Sequence, residues 1–237
     1  MTLRAFLSHR PLMFYCGVLF VIGASFFIVG SFSSVSGIEL FSESDSNKLF
    51  FIGSIFFTSA AYTQLLASMN PSLALDKEPI YITLKHRDFR YFAWRGRNPG
   101  FIAGFAQLIG TIFFNFNTLD AMYFSGGVAL YDVAVWTPDM IGSIAFMISS
   151  IKYLQESVIE LPSIWRVVPG WITLINLGGS IFFQISAIFA FMGRSTSPEW
   201  MVYISNLGTF LGAICFCVAS VFMIPYVQRH IKQKYKA

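Results

Sequence analysis

Six amides, Gln107, Asn115, Asn117, Asn176, Gln184 and Asn206, lie within long apolar stretches of this chain, and the acids Asp120 and Asp139 lie near the ends of such stretches. A carboxamide both donates and accepts, so a set of them can hold a small neutral or zwitterionic solute or a lipid headgroup. The alternative use of the same groups is to bond neighbouring helices and fix their register, at about 1 kcal/mol or less per contact in a bilayer. Gln107 and Asn115 stand 69 positions before Asn176 and Gln184, so the amides recur in register. Asp120 and Asp139 could together hold a cation or polar solute at the outer mouth. For Asp139 the run Thr137-Pro138-Asp139 offers a plainer role, as cap, first helical residue and first-turn acid. Lys152 and Glu156 are four apart, the spacing of an interfacial pair on one helix face.

Signatures of catalysis are missing from the sequence. It contains no Walker loop, no HExxH, no pair of central aspartates and no evident Ser, His and Asp set. No enzyme activity, catalytic residue, cofactor or metal site is therefore expected. Cys16, Cys215 and Cys217 fall inside apolar stretches. The last two, two apart on a helix, point to different faces, which argues against a metal site and a disulfide framework.

The elements that must position these groups follow from composition. The chain is 55% apolar and 18% aromatic, with 27 Phe and only 12% charged residues, where soluble domains carry about 25%. Six stretches are long and apolar enough to cross a bilayer, near Leu12 to Phe32, Lys48 to Met69, Gly100 to Leu119, Pro138 to Glu156, Pro169 to Met192 and Trp200 to Tyr226. Lipid offers the backbone no hydrogen-bond partner, so each must be a helix. With both termini cytoplasmic, fourteen of the sixteen Lys and Arg fall inside and only Lys48 and Arg194 outside, the bias expected of an inner (plasma) membrane protein. Trp94, Trp165 and Trp171 then sit at the inner boundary, Trp136 and Trp200 at the outer one. The first apolar run, although preceded by Arg4 and Arg10, is longer than the core of a signal peptide and is kept as a span.

"LIGTIFFNFNT" at residues 108–118 returns as "LGGSIFFQISA" at 177–187. All six spans align on one glycine: Gly23, Gly53, Gly110, Gly142, Gly179 and Gly212. A small residue follows each, a Phe stands four later (Phe27, Phe57, Phe114, Phe146, Phe183 and Phe216), and seven and eight later come two more residues, all small except Asn117. On a helix these offsets fall within about 120° of arc, which gives every span one low rib that lets another backbone come close. "GFIAG" at Gly100 to Gly104 and "GTFLG" at Gly208 to Gly212 add GxxxG spacings. Within consecutive spans the glycines lie 30, 32 and 33 residues apart. The expectation is an all-α, polytopic membrane protein whose six transmembrane helices form three tandem helical-hairpin repeats with a pseudo-threefold relation, a single membrane domain over residues 1–237. The hairpins cover 12–69, 99–156 and 169–226.

Between the first two hairpins, residues 70–98 form a basic loop in which Lys85, Arg87, Arg90, Arg95 and Arg97 alternate with Phe89, Tyr91, Phe92 and Trp94. Beside a span, such a mixture is expected to lie at the interface, its rings in the acyl boundary and its charges on anionic cytoplasmic headgroups; nucleic acid is not an expected partner. The basic tail 227–237 reads the same way, and the alternative role for such charges is simply to determine topology. "FFIGSIFFTSAAYTQLL" resembles the YrhK-like membrane domain. Together with "FAWRGRNPGFIAGFAQLIGTIFFNFNT", "PDMIGSIAFMISS", "NLGGSIFFQISAIFAF" and "NLGTFLGAICFCVAS", it resembles an uncharacterised family of bacterial six-helix membrane proteins. The resemblance implies fold and location and no activity. Two functions fit the residues: binding or transport of a small polar solute or lipid between hairpins, or a non-transporting accessory subunit that docks on a second copy or on another membrane protein.

Overall fold

The computed structural model describes residues 12–70, 88–123, 127–160, 164–192 and 198–234. Six long helices carry the chain: α1 (Leu12–Ser36), α2 (Glu43–Met69), α3 (Pro99–Tyr123), α4 (Thr137–Glu160), α5 (Val168–Met192) and α6 (Glu199–Lys234). Each contains a stretch long and apolar enough to cross a bilayer, and the protein is a polytopic, six-helix membrane protein. Of the basic residues used for orientation, Arg4, Arg10, Lys77, Lys85, Arg87, Arg194 and Lys236 lie outside the described residues.

Local chemistry sets the helix ends, and several differ from expectation. α2 starts at Glu43, five residues before Lys48, because Ser42 caps it by accepting from the Asp45 amide at 3.1 Å; Asp45 in turn pairs with Lys48 at 2.8 Å. α6 continues past Tyr226 to Lys234, with Pro225 inside it. The largest difference precedes α4. Thr137 does not cap a helix: its backbone is already helical, and its hydroxyl donates to the Asp132 carbonyl at 2.6 Å. A one-turn helix at Val128–Tyr131 runs through a π turn at Asp132–Trp136 directly into α4, so this span begins about two turns early. Asp139 is consequently well inside a continuous helix, and the first-turn reading of Thr137-Pro138-Asp139 is corrected.

The ribs face inward. Every rib residue is buried except Asn117, which is half-buried. Their glycines meet in pairs, α1 with α2, α3 with α4 and α5 with α6. A Cβ placed on Gly23 would come within 2.9 Å of the Gly53 carbonyl oxygen. On Gly110 it would come within 3.0 Å of the Gly142 oxygen, and on Gly179 within 3.1 Å of the Gly212 oxygen. The Phe four residues after each glycine covers the partner's glycine: Phe57 lies over Gly23, Phe146 over Gly110, and Phe183 against Gly212. So the rib permits backbone contact and supplies its lid.

Hydroxyls join the first pair to the second and the second to the third. Ser54 of α2 bonds Thr118 of α3 at 3.1 Å, and Ser150 of α4 bonds Ser180 of α5 at 2.7 Å. α1 closes against α6, where Gly17 lies beneath Ile224 and Met223. Each helix thus packs on its two neighbours in chain order, and α1 on α6.

After α2, residues 88–98 are tied down by a few bonds. Asn70 Nδ2 donates to the Arg90 carbonyl and its Oδ1 accepts from the Arg90 amide, both at 2.8 Å. Arg95 Nε caps α2 by donating to the Met69 carbonyl at 2.9 Å, and Asn98 caps α3 by accepting from the Phe101 amide at 2.7 Å. Tyr91, Phe92 and Trp94 are exposed, whereas Phe89 packs on the core.

Candidate functional site

The six rib phenylalanines gather at the middle of the bundle. Ring centroids lie 5.1 Å apart for Phe27 and Phe57, 5.1 Å for Phe114 and Phe146, and 5.2 Å for Phe183 and Phe216. Rings of different pairs also touch: Phe27 to Phe183 at 6.1 Å, Phe114 to Phe183 at 5.7 Å and Phe146 to Phe216 at 5.6 Å. These contacts form one aromatic septum across the axis.

A cavity lies on each side of it. One, of about 460 Å³, occupies the end that carries Arg95 and Arg97 and meets the septum at Phe216. The other, of about 190 Å³, occupies the far end and meets it at Phe27, Phe114 and Phe183. All six helices contribute to both. The positions three before each rib glycine fall at roughly 60° on the helix, within the arc of the rib, so they continue it toward one end or the other. On α1, α3 and α5 they are Phe20, Gln107 and Asn176, which line the larger cavity. On the antiparallel α2, α4 and α6 they are Phe50, Asp139 and Thr209, which line the smaller one. Equivalent positions therefore face one space with different chemistry, and the polar groups come from the second and third helix pairs.

Around the larger cavity, Gln107 Oε1 accepts from Ser149 at 3.0 Å, and Asn176 is half-buried opposite. The sequence reading missed Gln64 and Tyr153, and gave Glu156 to an interfacial pair with Lys152. Gln64 and Tyr153 both stand eleven residues after a rib glycine, at about 20° on the helix, a regularity that would have found them. Gln64 Oε1 is buried and accepts no hydrogen bond among the described residues. A Cβ on Gly104 would stand 3.3 Å from both the Tyr153 hydroxyl and the Leu65 Cα, so the glycine lets α3 approach these groups closely. Glu156 lies over the first turn of α3, its carboxylate oxygens 3.1 and 3.2 Å from where a Gly100 Cβ would be, and the positive end of that helix favours it there. Lys152 does not pair with Glu156 as expected. Its ammonium donates to Gln155 at 3.2 Å, leaving Glu156 turned toward the cavity.

The other amides separate. Asn117 lines the smaller cavity, where Nδ2 donates to the Val135 carbonyl at 2.9 Å. Asn115 and Gln184 line neither cavity: Asn115 Nδ2 donates to Thr58 of α2 at 2.8 Å, and Gln184 Nε2 meets Met140 Sδ of α4 at 3.0 Å. Both stand five after a rib glycine, at roughly 140°, which points them sideways to the next helix. Asn206 is half-buried on α6 and Asp120 half-buried on α3; neither is among the residues lining the smaller cavity, which Asp139 lines. In the basic loop Arg90 and Arg97 are exposed and Arg95 is half-buried; Lys85 and Arg87 lie outside the described residues. Among the described residues, no three His, Cys, Asp or Glu side chains converge as metal ligands. Set against known protein families, characterised proteins and solved structures, the chain matches none. The likeness to the YrhK-like domain accordingly rests on the quoted motifs alone.

Proposed function

We propose that the protein binds a small polar solute in the larger cavity and lets it pass when the aromatic septum parts. The observation that carries this reading is the buried, unbonded Gln64 Oε1 beside Gln107 and Asn176 in a space of about 460 Å³, within the range of small-molecule sites. A buried acceptor without a donor costs about 1–3 kcal/mol, and a bound hydroxyl or amine would remove that cost. The phenylalanine side of the cavity offers apolar contact, so the class is a solute with one apolar face and several donors. A lipid headgroup of the same chemistry is the other source.

Supporting an assembly of three tandem hairpins about a pseudo-threefold axis are the three glycine contacts and the matched cavity positions three before each glycine. Arg90, Arg95, Arg97 and Arg166 at that end support placing the larger cavity at the cytoplasmic face of a plasma membrane, and the exposed Tyr91, Phe92 and Trp94 suit contact with anionic headgroups there. Catalysis is not part of the proposal.

The test is mass spectrometry of the protein released from mild detergent, with thermal unfolding against a panel of polar solutes and headgroup analogues. Gln64→Leu with Gln107→Leu should lose the bound or stabilising species, and Asn115→Leu with Gln184→Leu should keep it. Retention in the first variant counts against the cavity. A wild-type protein that carries and responds to nothing, but associates with itself or another membrane protein, would favour the accessory-subunit reading.

A further inference from the structure

The smaller cavity has a chemistry of its own. Asp139, the position three before Gly142, faces it from α4, inside a span, where an acid is costly unless it is neutral or held by a partner. Neither a hydrogen-bond donor nor a positive charge of the described residues acts on its carboxylate. Lys48, the nearest described base at this end in sequence, is exposed and engaged with Asp45. What the cavity presents instead is oxygen. Ser186, Ser205 and Thr209 form a hydroxyl cluster, Ser186 to Thr209 at 2.8 Å and Ser186 to Ser205 at 3.4 Å. Asn117 is oriented by the bond from its Nδ2 to the Val135 carbonyl, and its Oδ1 adds a further neutral oxygen to this lining. The π turn at Asp132–Trp136 ends three residues before this acid, and such turns are frequent at functional sites.

We propose that the smaller cavity is a binding site for an alkali-metal cation, with Asp139 supplying the charge and Asn117, Ser186, Ser205 and Thr209 the neutral oxygens. One carboxylate with neutral oxygen donors suits a hard monovalent ion, and the absence of convergent acids, histidines or thiols among the described residues disfavours a divalent metal. The site lies across the septum from the larger cavity and stands whether or not that cavity binds anything.

The experiment uses the full chain in detergent at fixed pH and ionic strength, with sodium chloride or potassium chloride replacing N-methylglucamine chloride. The midpoint of thermal unfolding should rise by several degrees as the metal ion passes from well below to about 100 times its dissociation constant. Asp139→Asn, which keeps the shape and removes the charge, should abolish the rise. Ser205→Ala with Thr209→Val should shift the half-effective concentration upward by roughly tenfold, a loss of about 1.4 kcal/mol of binding. A wild-type midpoint indifferent to both ions overturns the proposal, and this reading needs no variant to fold. An unchanged rise in Asp139→Asn overturns it equally.

Discussion

At the scale of single residues, adjacent glycines in α5 should behave oppositely. A methyl on Gly179 would press on the Gly212 carbonyl and the Phe216 ring, both 3.1 Å away, whereas Gly178 has only Cys215 Sγ at 4.0 Å. Gly179→Ala is expected to destabilise by about 1–3 kcal/mol through overpacking. Gly178→Ala should be neutral or gain up to about 1 kcal/mol from helix propensity. Denaturant or thermal unfolding of the two purified variants makes the comparison, and an equal change in both would mean that the close approach at Gly179 carries no cost of its own. The rib glycines were legible because spacing alone places them on one face. The side-chain roles were less so. Aligning Gln107, Asn115, Asn176 and Gln184 gives their depth, but only the offset from the glycine gives their angle, which sends the first of each pair to the cavity and the second to a neighbouring helix. Gln64 and Tyr153 were missed because neither is unusual near a span end until the opposite helices are in place.

Single helices show where polar bonding does the joining. α4 and α5 meet through Ser150 and Ser180, with Ser180 also donating to the Phe146 carbonyl at 3.3 Å and Ser143 to the Phe183 carbonyl at 3.4 Å. A double-mutant cycle on Ser150→Ala and Ser180→Ala should return a coupling of about 0.6 kcal/mol, the usual size within a bilayer. Additive losses would make the serines mere small fillers. The lead-in to α4 is held differently: Trp136 Nε1 donates to the Ala187 carbonyl at 2.8 Å and its ring meets Phe191 at 4.4 Å. Trp136→Phe keeps an aromatic ring and removes the donor, so it should cost about 1 kcal/mol by unfolding. An unaffected midpoint would leave the ring contact as the whole of its role. The π turn itself was hidden in the sequence, because Thr137-Pro138 reads as a helix start and nothing in local preference announces that the preceding nine residues lead into the same helix.

For the whole molecule, the consequence is a bundle with a space at each end and rings between them. Hydropathy made the six spans plain, and the repeat made the ribs plain; the septum was implicit in six phenylalanines at equal offsets, yet the division into two cavities of unequal size depends on antiparallel packing that places alternate helices' residues at opposite ends. If the rings are the barrier, Phe183→Leu should raise leak of a small polar solute from proteoliposomes, whereas the same change at the half-buried Phe182 beside it should not. Equal leak in both variants would locate the barrier elsewhere.

The division of the interior is tested most directly by thiol accessibility in a membrane, with Cys16, Cys215 and Cys217 replaced by Ala and single cysteines placed along α5. Thr173→Cys and Asn176→Cys should react with a membrane-impermeant reagent from one side, Ser186→Cys from the other, Phe183→Cys from neither, and the exposed Ile181→Cys and Ile188→Cys only with a lipid-soluble reagent. Reaction of Asn176→Cys and Ser186→Cys from the same side, or aqueous labelling at Ile181 and Ile188, would contradict the account.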